Sequence, residues 1–192
     1  AAMFGLAARR HPQALYAFVV ATLAGAVLIN GLKDAFDLMR PPALLNTDAI
    51  RIVGEAYRRG SFPSGHTFST FAAAGVALCF LGGAWRRGAV LLLAVIVGSS
   101  RVMVGVHWPV DIAAGAVGGL VTAWLSVLVT RYVRFGYRPA VQIAMLWLVV
   151  ISNLALVWNG SNYDLAAPAA RAVAVAATIV LAWQHLGPGR HG

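Results

Sequence analysis

Residues 109–132 read PVDIAAGAVGGLVTAWLSVLVTRY, with no charged side chain between Asp111 and Arg131. A helix of roughly 20 apolar residues spans the hydrocarbon core of a bilayer, which is about 30 Å thick. Pro109 suits the first position of such a helix, because its missing N–H would have no intrahelical partner there. The stretch therefore predicts one helix that crosses a membrane.

Five further stretches share this character, near residues 14–36, 65–82, 88–104, 140–158 and 168–185. The whole chain of 192 residues is 60% hydrophobic and only 11% charged, which is outside the range of ordinary soluble domains and excludes a disordered chain. We therefore expect an all-α fold, a polytopic membrane helix bundle with about six transmembrane helices.

The charged residues are segregated along the chain. The 15 Lys and Arg residues outnumber the 6 Asp and Glu residues and fall in short clusters, so they form no basic face for a nucleic acid. Threading six spans puts Arg86, Arg87 and Arg131 on one side, which the positive-inside rule makes cytoplasmic, and every acidic residue on the other. The single cysteine, Cys79, can form neither an intramolecular disulfide nor a cysteine metal cluster.

The longest connection, residues 37–62, contains an amphipathic pattern near 48–59. Apolar positions alternate with a polar stripe in which Glu55 and Arg59 have the spacing of a helical ion pair. The pattern predicts a short interfacial helix over the outer face of the bundle. An ordinary amphipathic loop helix is the alternative interpretation.

Three polar clusters fall on the outer side, where charge near a membrane indicates function unless topology explains it. Lys33 and Arg40 form the first cluster, and a continued helix would put both on one face before Pro41 and Pro42 stop it.

The second cluster, residues 62–67, opens the second span with the sequence FPSGHT. The free N–H groups and the dipole of a helix start can bind an anion, to which Ser64 adds a hydroxyl donor. His66 would lie beside that anion.

The third cluster contains Arg101, His107 and Asp111. Asp111 falls in the first turn of the helix that starts at Pro109, within reach of the His107 ring. A carboxylate that binds one imidazole nitrogen fixes the tautomer and leaves the other nitrogen free to attack or to take a proton.

Together the clusters suit displacement at phosphorus. Cationic side chains neutralise the phosphoryl oxygens, one imidazole attacks, and the other protonates the leaving oxygen. Two other interpretations remain open: an anion-binding vestibule of a transporter, and a metal site made of His66, His107 and Asp111. The nearby cations disfavour the metal site.

Lys33-x6-Arg40-Pro41, Pro63-Ser64-Gly65-His66 and Ser100-Arg101-x5-His107-x3-Asp111 resemble, in order and in spacing, the three signature motifs of the type-2 phosphatidic acid phosphatase superfamily. That superfamily includes lipid phosphate phosphatases, glucose-6-phosphatase and vanadium haloperoxidases. The resemblance implies that His107 forms a phosphohistidine, that Asp111 orients it, and that His66 serves as general acid and then as base. It also implies that no metal or other cofactor is needed, and that the phosphoryl oxygens are bound by Lys33, Arg40, Ser64, Gly65 and Arg101.

We therefore expect a single integral-membrane phosphatase domain over residues 1–192, with a catalytic core near 14–133 and additional helices at 140–158 and 168–185. Its substrate would be a phosphorylated membrane lipid of the polyprenyl, phosphatidylglycerol phosphate, phosphatidic acid or lipid A type. We expect it in a bacterial inner membrane, with the site on the periplasmic or extracellular side. A lipid phosphotransferase is the alternative, and the sequence leaves the lipid and the oligomeric state open. Because the chain begins with Ala1 rather than Met, we also expect a trimmed or tagged form.

Overall fold

The computed structural model describes residues 11–45, 52, 57–159, 168, 172 and 175. Within these residues the chain forms helices and no β-strand, which confirms the all-α class. In chain order the elements are α1 (Pro12–Phe36), α2 (Pro41–Leu44), α3 (Gly65–Phe80), α4 (Ala84–Met103), α5 (Pro109–Tyr132), a 3₁₀ turn (Arg134–Tyr137) and α6 (Pro139–Asn159).

Five predicted spans correspond to long helices. The bounds of α5 are those predicted, whereas α4 begins at Ala84, four residues early, and so includes Arg86 and Arg87. The predicted span 168–185 lies outside the described residues apart from three isolated positions. The interfacial helix 48–59 also lies mostly outside them, and its end was wrong, because residues 57–59 are not helical.

Two described segments are long and apolar enough to cross a bilayer. They are Pro12–Leu44, which includes α1 and α2, and Pro109–Tyr132, and each reaches a mean hydropathy of 2.0. Gly65–Phe80 and Pro139–Ser152 are shorter apolar helices. Large apolar side chains on α4 and α5 face outward, with Leu93 62%, Val117 64% and Trp124 62% exposed. Exposed apolar surface of this kind is typical of a helix that faces lipid or a partner.

The first helix ends at Phe36, where the predicted span ends, and does not continue to Arg40. Asp37 adopts the left-handed conformation, with φ 35°, and its N–H donates to the carbonyl of Lys33 at 2.8 Å. This geometry closes α1 at Phe36, since Asp tolerates the left-handed region better than most residues do. Arg40 is extended, as the residue before a proline tends to be, and Pro41 opens α2. The prediction of one continuous helical face for Lys33 and Arg40 was therefore wrong.

Helices α3 and α5 make the most extensive helix contact, and glycines allow it. A Cβ added at Gly119 would lie 2.4 Å from the carbonyl oxygen of Phe68 and 2.8 Å from the nitrogen of Ala72. One added at Gly115 would lie 2.8 Å from the carbonyl oxygen of Ser64. The backbones thus approach closely at the end of α3 that carries the second polar cluster.

The chain divides into two compact units, Ala17–Val133 and a second that combines the two ends of the chain. In the second unit, the rings of Tyr16 and Tyr137 meet edge to face at 5.7 Å. Gln142 Nε2 donates to the carbonyl of Gly136 at 2.6 Å, which ties the start of α6 to the 3₁₀ turn. All eight predicted site residues belong to the first unit.

Candidate active site

His107 and Asp111 form a buried pair at the start of α5. Nδ1 of His107 lies 3.2 Å from Oδ2 of Asp111, and the two residues are only 4% and 1% exposed. Since an ionised carboxylate can only accept hydrogen bonds, Nδ1 carries the proton, and Nε2 is the basic nitrogen. Asp111 reaches the ring because Pro109 starts the helix and leaves Asp111 in its first turn.

Two further donors bind the same carboxylate oxygen. The hydroxyl of Ser61 donates to Oδ2 of Asp111 at 2.5 Å, and the backbone N–H of Trp108 donates to it at 2.9 Å. The bond from Trp108 joins the backbone just before α5 to a side chain in its first turn, which stabilises the start of the helix. The sequence did not indicate Ser61, because a neutral hydroxyl in a loop carries no charge or periodic signal.

Arg40 is held by backbone carbonyls around the site. Its Nε donates to the carbonyl of Arg59 at 3.0 Å and its Nη2 to that of Gly60 at 3.2 Å, while Nη1 lies 3.5 Å from the carbonyl oxygen of Val106. The guanidinium carbon also lies 5.4 Å from the centre of the Tyr57 ring. Arg40 thereby joins the loop before α3 to the loop before α5.

The start of α3 lies directly against the buried pair. The N–H of Ser64 donates to the backbone carbonyl of Asp111 at 3.1 Å. Ser64 is fully buried, and its hydroxyl caps the helix by accepting from the backbone N–H of Thr67 at 3.5 Å. The same oxygen accepts from the hydroxyl of Thr67 at 3.0 Å. Gly65 follows as the first helical residue, and the side chain of His66 is exposed. The sequence placed Ser64 near an anion but did not identify it as a helix cap.

The charged residues of all three clusters interact electrostatically with one another. The ring of His66 is subject to the charges of Arg101, Lys33 and Arg40 and to that of a protonated His107. Lys33 interacts in turn with Arg40 and with the carboxylate of Asp111. Arg101, from the last turn of α4, donates from Nε to the hydroxyl of Ser100 at 3.2 Å. The structure therefore gathers the predicted cations and both histidines at one end of the first unit.

The environment of His107 favours the neutral imidazole. Burial lowers the pKa of His107 below its ordinary value, the hydrogen bond with Asp111 opposes that shift, and the charge of Arg40 adds to it. A neutral ring keeps a lone pair on Nε2, which a nucleophile or a base requires.

The described residues contain no group of three or more His, Cys, Asp or Glu that could hold a metal ion. The arrangement of donors therefore gives no support to the interpretation of His66, His107 and Asp111 as a metal site.

Residues 14–135 match the family model described as the PAP2 superfamily. The chain belongs to the PAP2 superfamily. The three motifs quoted from the sequence lie inside the matched segment, so the resemblance inferred from them is confirmed.

Similar proteins carry names that concern lipid phosphates and transport. The undecaprenyl-diphosphatase of Sulfolobus acidocaldarius is 41% identical over 113 residues, which cover 58% of this chain and 49% of that protein. The bacitracin transport permease protein BcrC of Bacillus licheniformis is 35% identical over 113 residues, which cover 57% of this chain and 50% of that protein. The chain thus spans about half the length of these curated relatives.

A solved structure has a similar fold over part of the chain. The crystal structure of Aquifex aeolicus LpxE matches with a TM-score of 0.56 and 29% identity, over 61% of this chain and 68% of that one.

Proposed function

We propose that the protein is an integral-membrane phosphatase that hydrolyses a polyprenyl diphosphate or a related lipid phosphate through a phosphohistidine. The observation that carries the proposal is the buried His107–Asp111 pair at the end of the bundle where the predicted cations gather. Membership of the PAP2 superfamily and the likeness to an undecaprenyl-diphosphatase support this choice of substrate.

In the first step Nε2 of His107 attacks phosphorus as the bond from phosphorus to the leaving oxygen breaks. His66 donates a proton to that oxygen, so the lipid leaves as an alcohol or a monophosphate. Lys33, Arg40 and Arg101 stabilise the charge that develops on the phosphoryl oxygens, and the start of α3 at Ser64 and Gly65 adds helix-dipole stabilisation.

In the second step His66, now neutral, takes a proton from water. The water oxygen attacks the phosphohistidine, the N–P bond breaks, and inorganic phosphate leaves with His107 neutral again. Asp111 holds Nδ1 of His107 throughout and stabilises the positive charge on the ring of the intermediate. The two histidines thus exchange no proton with each other, and each returns to its starting state.

We propose that the site faces the non-cytoplasmic side of a bacterial inner membrane, within a bundle of six spans. The 20 helical steps from Asp111 to Arg131 extend about 30 Å along α5, which matches the thickness of the hydrocarbon core. Labelling of single cysteines tests this orientation in a protein whose native cysteine is removed by Cys79→Ala. On the proposed outer side, Met39→Cys should react with a membrane-impermeant maleimide added to spheroplasts. On the proposed cytoplasmic side, Trp85→Cys should not react. The reverse pattern would contradict the orientation.

Phosphate release from defined lipids by the purified protein tests the reaction. Undecaprenyl diphosphate, phosphatidic acid and phosphatidylglycerol phosphate form the panel, with and without a chelator. His107→Ala should lose about 10³-fold or more of the turnover, while His11→Asn, a histidine outside the site, should retain it. Stoichiometric phosphorylation of an added lipid acceptor without phosphate release would favour the phosphotransferase instead.

A labelled aryl phosphate tests the phosphohistidine directly. When the phenol is acidic, as in a nitrophenyl phosphate, the leaving group needs no proton, so His66→Asn should still form the intermediate. It should hydrolyse that intermediate slowly, because the base for water is missing. Acid-labile label should therefore accumulate on His66→Asn and be absent from His107→Ala. Label on His107→Ala would refute the assignment of the nucleophile.

The name of the Bacillus licheniformis relative raises transport as a second candidate function. The predicted cations cluster at one end of the first unit, whereas a conduit should be polar along its length. Phosphate flux into liposomes that persists in His107→Ala would favour transport over hydrolysis.

A further inference from the structure

Ser61 is a fully buried serine whose hydroxyl contacts the carboxylate of Asp111. Its relative exposure is 0%, and its Oγ lies 2.5 Å from Oδ2 of Asp111. A buried hydroxyl without a partner would destabilise the fold, and one that donates to a charged oxygen forms one of the stronger hydrogen bonds in proteins. The Ser61 hydroxyl therefore donates its hydrogen bond to Asp111 rather than to solvent.

We infer that Ser61 is a positioning residue, which holds the Asp111 carboxylate and thereby fixes the ring of His107 for attack. Three donors converge on Oδ2 of Asp111: the Ser61 hydroxyl, Nδ1 of His107 and the N–H of Trp108. Of these, His107 and Trp108 belong to the same short segment as Asp111. Only Ser61, 50 residues away in the sequence, ties the carboxylate to another part of the chain.

The backbone around Ser61 is itself held in place. Its N–H donates to the carbonyl of Leu38 at 2.9 Å, and the N–H of Arg40 donates to the carbonyl of Arg58 at 2.9 Å. The Arg40 guanidinium also binds the carbonyl of Gly60, the residue before Ser61. The hydroxyl therefore connects the segment that carries Arg40 to the His107–Asp111 pair, and the inference rests on the proposed function, in which His107 attacks phosphorus.

Removal of the hydroxyl has an electrostatic consequence with a definite sign. The bond from Ser61 withdraws electron density from the carboxylate, so without it Asp111 stabilises a protonated His107 more strongly. Because only a neutral His107 can attack, kcat/KM falls at low pH as the ring becomes protonated. This fall, the acid limb of the pH profile, should then move to higher pH. The other charged or titratable groups that act on the pair are Lys33 of α1, Arg40 and His66 of α3, and they are the same before and after the change.

The experiment compares Ser61→Ala with Ser126→Ala in the full chain on undecaprenyl diphosphate. Ser126 is 3% exposed and lies in α5 beyond the site, so it controls for the loss of a buried hydroxyl. Ser61→Ala should lower kcat about 10- to 100-fold, the range for a lost hydrogen bond to a charged group, with KM almost unchanged. Its acid limb should shift upward, whereas Ser126→Ala should match the parent protein in kcat and pH profile.

The inference is overturned if Ser61→Ala has the kcat and the acid limb of the parent protein. It is also overturned if kcat falls while the acid limb stays in place, since a merely structural role predicts that result. If Ser61→Ala does not fold, Ser61→Cys, which keeps a weaker donor, must shift the acid limb upward, and an unshifted limb refutes the inference. Activity retained by His107→Ala would instead refute the proposed function.

Discussion

A methyl group added at Gly119 tests how closely α3 and α5 must approach for the site to work. The new Cβ of Gly119→Ala would lie 2.4 Å from the carbonyl oxygen of Phe68 and 2.8 Å from the nitrogen of Ala72, whereas ordinary contacts begin at 3.4 Å. Both neighbours are backbone atoms, which cannot rotate away. The two helices must therefore separate by about 1 Å, the difference between 3.4 and 2.4 Å.

Overpacking of this kind costs about 1–3 kcal/mol, and the higher helix propensity of Ala offsets about 1 kcal/mol of that. A net loss of about 1 kcal/mol, the middle of the resulting range, corresponds to a fall in Tm of about 2–4 °C for a chain of this size. Separation of the helices also stretches the bond from the Ser64 N–H to the Asp111 carbonyl, which is 3.1 Å long. A misplacement of about 1 Å at a reacting centre can cost about 10²-fold in rate, so turnover should fall steeply even at temperatures where the protein is folded.

Thermal unfolding in detergent, followed by tryptophan fluorescence, measures the first effect, and phosphate release well below Tm measures the second. Gly88→Ala is the matched control, since a Cβ there meets nothing within 4 Å and Gly88 also lies in a helix. It should be neutral or slightly stabilising. If Gly119→Ala unfolds and turns over like Gly88→Ala, the close approach of α3 and α5 is not what holds the site together.

Three further changes probe the site itself. Asp111→Asn should lower kcat about 10³- to 10⁴-fold and, because the carboxylate raises the pKa of His107, move the acid limb of kcat/KM to lower pH; a limb displaced upward on the same substrate would contradict the pairing. Arg40→Lys should lose most activity, since one ammonium cannot reproduce the bonds to the carbonyls of Arg59 and Gly60, and near-parent kcat/KM would argue against that clamp. Trp108→Phe removes the 2.9 Å bond from Nε1 to the carbonyl of Met39 and should reduce stability by about 1 kcal/mol in the same unfolding assay, with an unchanged Tm as the contrary result.

The extent of the long helices could be predicted because apolar length decides it. Residues 109–132 gave both ends of α5 correctly, since Pro109 sets the start and Arg131 with Tyr132 marks the end. The predicted span 14–36 also gave the end of α1 at Phe36, but not the reason why the helix stops there. Its termination depends on the left-handed conformation of Asp37, and one residue in that region leaves no signal in a pattern of hydrophobicity.

Arg40 illustrates what charge alone does and does not reveal. The sequence predicted a functional role for this cation because a charge near a membrane is energetically costly. It gave the wrong reason for its position, a shared helical face with Lys33, because the pairing of residues 38–40 with residues 58–61 rests on backbone hydrogen bonds between segments about 20 residues apart. Backbone groups are the same at every residue, so the sequence cannot show which of them meet.

The same reasoning explains why the sequence revealed the buried charged pair and not the neutral groups that bind it. His107 and Asp111 are costly to bury, so their occurrence between apolar stretches demands a reason. Ser61 and the N–H of Trp108 satisfy the carboxylate without any charge, and in a sequence they resemble ordinary loop residues. Such neutral donors decide how far an imidazole can turn, since each bond to Oδ2 of Asp111 restricts the carboxylate that holds the ring. A search of related sequences limited to charged positions would therefore find the proposed nucleophile and miss the groups that we propose orient it.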